Sequence, residues 1–235
     1  MNKSRLGFLS VACLAILVFL SFSSISSVSI AADQKEGMDV VFHWAFGSVR
    51  NRAQGTQFEQ ITGDTRLSSG DQIKFFLKPA SGCFVYLIYQ SSQGELSVLY
   101  PYRFKKKSSG ELNPKGYYIP EGNEWFQLDE NMGQERFYLL ASDTRLGRLE
   151  DLINQYESGD KGKKPELLQQ ILSEIDLLRR KNFKPKANAE RPLSIVGNLR
   201  GTKKPQTALP LDLAEHAVEI SASHFFIRTY TIDHR

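Results

Sequence analysis

Between Leu67 and Ser142 short apolar runs alternate with Gly, Pro, Asn and Asp at intervals of roughly ten residues, the spacing of an antiparallel sheet protein. Within Gln72 to Lys78, Ile73, Phe75 and Leu77 share one face and Gln72, Lys74, Phe76 and Lys78 the other. Upstream, Val40, Phe42, Trp44 and Phe46 alternate with Asp39, Val41, His43 and Ala45. The run from Cys83 to Gln90 is apolar on both faces, which predicts an interior strand. Gln93-Gly94 turns it back into Glu95 to Tyr100, which Pro101 ends. Further strands are predicted at Tyr117 to Ile119, Glu124 to Leu128 and Gln134 to Ala141. Strands with one apolar face require a cover, and a second sheet supplies it. The expected class is mainly β, an antiparallel two-layer β-sandwich, with its core at 39–142.

After Ser142 the period changes. Leu146, Leu149, Leu152, Ile153 and Tyr156 recur at helical spacing, with Asp143 or Thr144 placed to cap the helix. Pro165 suits a first helical turn, and Leu167, Leu168, Ile171, Leu172, Ile175 and Leu178 form a second stripe. This predicts an inserted helical hairpin over 143–183. Residues 184–216 form a basic, Pro-rich linker in which Leu193 to Val196 is a candidate edge strand. The last segment, 217–235, is strand-like and is expected to return to the sandwich beside Val40 to Phe46. Its apolar residues change face near His224, which a β-bulge there would reconcile.

The first 32 residues read as a signal peptide. Lys3 and Arg5 precede an apolar run from Phe8 to Leu20, and Ser29 and Ala31 suit cleavage after Ala31 or Ala32. Retention as an anchor is the competing expectation. Cleavage takes two cations and no anion, so the net charge falls by two, from +4 to +2. A near-neutral exported product is not expected to bind nucleic acid. No later stretch is apolar enough for a membrane span. Cys13 leaves with the leader, and Cys83 remains without an intramolecular partner, a small apolar group at the start of a strand.

Local catalytic signatures are missing from the sequence. There is no G-x-S-x-G elbow, no H-E-x-x-H helix and no phosphate-binding Gly-Lys-Ser/Thr loop. His43, His216, His224 and His234 form no metal-ligand spacing, and no metal or cofactor is expected. A Ser/His/carboxylate site assembled from distant positions stays open, because such sites are defined by geometry and not by order. The binding candidates are surface features. Tyr102, Arg103 and Lys105 interleave aromatic and cationic groups where the polar loop from Arg103 to Gly116 begins. Arg200 stands between Gly197 and Gly201, where a tight turn would present it to an anion. Trp44 and Trp125 are candidate sugar-stacking rings.

The central segment resembles a bacterial family termed domain of unknown function 4384. The resemblance rests on a Leu-x-x-Gly-Asp start at Leu67, Gly70 and Asp71, and on Tyr86 in a Tyr-x-Tyr-type strand position. It continues through Leu99-Tyr100-Pro101, Ile119-Pro120 and a closing Ala141-Ser142. It implies a sandwich module in envelope-associated proteins, in which catalysis belongs to another domain or chain. The resulting expectation is an exported, non-catalytic module of the cell envelope, periplasmic or extracellular, that docks a protein partner through its loops or helical hairpin. The alternatives are a cell-wall or extracellular glycan-binding module and a hydrolase with a dispersed site.

Overall fold

Alternating side chains in the N-terminal strand β1 (Asp39–Arg52) bury Val40, Phe42, Trp44 and Phe46 against a second sheet. The computed structural model describes residues 39–52, 55–101, 104, 113–182, 189–192 and 212–235; residues 1–38 and most of the 184–216 segment lie outside the described residues. The strands after β1 are β2 (Gly55–Gln60), β3 (Thr65–Leu67), β4 (Gln72–Pro79), β5 (Phe84–Gln90), β6 (Leu96–Tyr100), β7 (Tyr117–Ile119), β8 (Phe126–Gln127) and β9 (Gly133–Ser142). Helices α1 (Gly147–Ser158) and α2 (Lys164–Lys181) follow, then β10 (Ala189–Pro192), β11 (Val218–Ser223) and β12 (Phe225–His234).

One sheet has the order β10-β11-β1-β4-β7, with β2 also paired to β1 and β8 to β4. The other is β3-β12-β9-β5-β6. Among the described residues every pairing is antiparallel except that of β3 with β12. Between the sheets lies an aromatic core. Phe46 stacks on Phe75 at 4.3 Å and meets Tyr230 edge-on at 5.4 Å. Full burial of each such ring contributes about 1.5–3 kcal/mol.

The outer face of the second sheet is covered by the hairpin. Tyr86, Ile88, Tyr138 and Leu140 from β5 and β9 pack beneath Leu149, Ile153, Tyr156, Ile171 and Ile175. That cover explains why β5 is apolar on both faces. The start of α1 corrects a sequence expectation: neither Asp143 nor Thr144 caps it. The Tyr86 hydroxyl accepts the Leu146 N–H at 3.1 Å and donates to Glu150 Oε1 at 2.6 Å. Arg145 completes the cluster by pairing with the buried Glu150. An amide and a carboxylate thus converge on one phenol, with a guanidinium paired to the carboxylate, and together they fix the helix to the sheet.

The outer face of the first sheet is only partly wet. Phe76, expected to face solvent, is buried under a short 3-10 turn, Leu213–His216, together with Ala217. A side chain at Gly47 would collide with Phe58 at 2.4 Å, so glycine there lets this cover approach the sheet. His216 therefore sits in a turn and does not share a strand with His224. At His224 the chain does more than bulge. β11 pairs with β1 in one sheet and β12 pairs with β9 in the other, and His224 makes the crossing at φ +63°. The strand switches sheets at that residue, so its apolar residues must change face.

Candidate functional site

The Leu-x-x-Gly-Asp segment builds one end of the sandwich. Leu67 anchors in the core, and Gly70 turns the chain at φ +86°, a left-handed conformation that suits glycine. Asp71, 4% exposed, accepts the Ser68 N–H at 2.9 Å and closes the turn. The turn is then fastened on both sides. Gly70 N–H donates to the Leu128 carbonyl and Leu128 N–H to the Asp71 carbonyl, each at 2.9 Å. Arg235 N–H donates to the Leu67 carbonyl at 3.0 Å, and Ser69 N–H to the Arg235 carbonyl at 3.3 Å.

This arrangement aligns three side chains from distant parts of the chain. Ser69 Oγ, on the exposed turn, lies 3.1 Å from His234 Nε2 at the end of β12. His234 Nδ1 lies 3.3 Å from Glu135 Oε1 in β9. The imidazole has no exposure of its own, and the Glu135 side chain is 6% exposed. Burial raises the Glu135 carboxyl above its ordinary value, opposed by hydrogen bonding to Tyr89 and by the His234 charge. Burial raises the Tyr89 phenol as well, with the Glu135 charge adding to it. Asp129 stands on the neighbouring loop, where bonds from Asn131 hold its carboxyl low. The result is a serine, a histidine and a carboxylate in series, the arrangement by which a hydroxyl is brought within reach of an oriented base.

A second constellation lies beside it on the first sheet. Lys74, 4% exposed, donates from Nζ to the Gly122 carbonyl at 2.7 Å and the Glu124 carbonyl at 2.6 Å. Its ammonium stands 5.7 Å from the Tyr118 ring centroid and 5.8 Å from that of Trp125. Burial lowers the Lys74 ammonium below the ordinary lysine value, with Glu124 opposing. Tyr118 in turn donates to Asp212 at 2.6 Å. One buried cation thus clamps the connection between β7 and β8. The stretch that follows displays Phe126, 36% exposed, and Met132, 67% exposed.

The sequence candidates separate clearly. Trp44 is 3% exposed and donates from Nε1 to the Tyr230 hydroxyl at 2.8 Å, so it is a core residue and not a ligand platform. Its alternation with Val40 and Phe42 dictates that position. Trp125 is half-buried on the clamped loop, with part of its ring available. Tyr102, Arg103, Lys105 and Arg200 lie outside the described residues. Burial pushes the Cys83 thiol up to about 12, which leaves it protonated and inert at neutral pH. Ser69, Glu135 and His234 were named by no local motif, and 165 residues separate the serine from the histidine. Only the Leu-x-x-Gly-Asp turn pointed to that corner.

A β-sandwich with a helical cover and a clamped loop corner defines the class of module. Residues 66–145 match the model of the family described as Domain of unknown function (DUF4384), and this stretch is similar to that family. It spans β4 to β9 and contributes to both sheets. No curated protein and no solved structure matches the chain. Among the described residues no helix is long and apolar enough to cross a membrane.

Proposed function

We propose that the protein is an exported recognition module of the bacterial cell envelope that docks a protein partner through the 125–132 corner. The leader-like N-terminus supports export. The observation that carries docking is the exposure of Phe126 and Met132 on a segment that Lys74 and the Asp71–Leu128 bonds hold in place. Exposed aromatic and Met side chains on a rigid element are the groups that anchor protein interfaces. The apolar stripes of the helical hairpin already cover the second sheet, which supports the corner over the hairpin as the docking arm even though α2 exposes Leu177. Recognition of this kind needs no reaction of its own.

The test is recovery of a partner from envelope extract by wild type and by the Phe126→Ser/Met132→Ser double variant. The expected result is a discrete partner held by wild type and lost from the variant. Equal recovery by both, or none by wild type, contradicts the proposal. Half-exposed Trp125 keeps a glycan reading in play, because a sugar face stacks on such a ring. Retention on a polysaccharide gel that Trp125→Ala abolishes, with no protein partner recovered, would replace docking by glycan binding.

A further inference from the structure

We infer that Ser69 is a nucleophile activated by His234, with Glu135 as positioning residue, and that it takes acyl or phosphonyl groups from activated esters. This goes beyond the recognition reading and does not depend on it. Three observations carry it. Ser69 is an exposed residue whose Oγ lies 3.1 Å from His234 Nε2. His234 Nδ1 is 3.3 Å from the Glu135 carboxylate, which favours a proton on Nδ1 and leaves Nε2 as acceptor. The turn carrying Ser69 is fastened to Leu128 on one side and Arg235 on the other, so the backbone that presents the hydroxyl is held.

The geometry also sets the substrate class. His234 is fully covered, so its Nε2 reaches only the Ser69 hydroxyl and cannot hand a proton to a remote leaving group. The amides of Ser69, Gly70 and Asp71 are all engaged by carbonyls and offer no ready oxyanion donors. The inferred chemistry is therefore confined to esters whose leaving group departs as a stable anion, such as an aryl oxide or fluoride. Ser69 Oγ attacks the carbonyl carbon or phosphorus, and its proton passes to His234 Nε2. The bond to the leaving group breaks with the electron pair on that group, and acyl- or phosphonyl-Ser69 remains.

The experiment treats the full chain with a fluorophosphonate and with an aryl acetate, and it locates the adduct by peptide mass spectrometry. Stoichiometric modification of Ser69 is expected, with loss of labelling in Ser69→Ala and retention in Ser68→Ala. His234→Gln should slow labelling by about 10²-fold or more, the usual contribution of a positioned base. Glu135→Gln should displace the pH profile of labelling, which a purely structural role would leave in place. Titratable neighbours facing His234 and Glu135 are Asp129 and Tyr89, so the same profile is measured in Asp129→Asn and Tyr89→Phe. Because Ser69 is exposed, its alanine variant keeps the fold. Failure of the folded wild type to label at Ser69 overturns the inference whatever the buried variants do. So does labelling of a stably folded His234→Gln at the wild-type rate.

Discussion

Replacing Tyr86 by Phe removes one oxygen and should unfasten the hairpin from the sheet. The hydroxyl donates to Glu150 Oε1 at 2.6 Å and accepts the Leu146 N–H at 3.1 Å. A hydrogen bond to a charged group contributes about 1.5–3 kcal/mol, and a buried amide left unpaired costs about 1–3 kcal/mol. The two overlap, because Arg145 still pairs with Glu150. A net loss of about 3 kcal/mol is expected, equivalent to about 6–12 °C in Tm for a domain of this size. Tyr138→Phe is the internal comparison. Its hydroxyl meets only the neutral Gln90 Oε1 at 2.9 Å, so its loss should cost about 1 kcal/mol. Urea and thermal unfolding of both variants measure the difference. A Tyr86→Phe variant no less stable than Tyr138→Phe would refute the view that one phenol serves as the cap of α1.

Three further outcomes rest on contacts elsewhere in the fold. Lys74→Met removes the donor from the Gly122 and Glu124 carbonyls, and amide hydrogen exchange at 121–125 should accelerate at least tenfold while the core strands stay protected. His224 occupies φ +63°, so His224→Gly should be more stable than His224→Ala by about 1 kcal/mol in chemical unfolding, both variants lacking the Asp143 contact. Burial raises the Glu135 carboxyl in the folded state, so the unfolded chain loses that proton first as pH rises. Stability should therefore fall as pH climbs from about 4.3, the ordinary Glu value, through the raised folded value, and Glu135→Gln should remove that segment of the pH curve.

What could be read in advance was local and periodic. The alternation of Ile73, Phe75 and Leu77 and of Phe42, Trp44 and Phe46 assigned the inner faces, since a strand in a sandwich buries every second residue. The helical stripes were equally legible. Features decided at long range were not. β3 is three residues long and pairs with the end of β12, a partner with no signature near Thr65. β2 was hidden because its residues are polar except Phe58, and among the described residues it pairs only with β1. The cap of α1 comes from a strand sixty residues upstream, while Asp143, one of the two residues that local chemistry offered, meets His224 at 2.8 Å instead. Phe76 read as solvent-facing because its cover arrives from Leu213 and Ala217. At the site, the glycine and aspartate of the Leu-x-x-Gly-Asp run gave the turn, but nothing near Ser69 announced His234.

The recognition reading stands or falls on where the chain touches its partner. A photo-reactive residue placed at position 132, with position 169 on the exposed face of α2 as control, reports that directly in intact cells. Docking through the corner predicts a discrete crosslinked adduct from 132, absent from 169 and abolished by Phe126→Ser. An adduct from 169 in place of 132, or none from either, would contradict it.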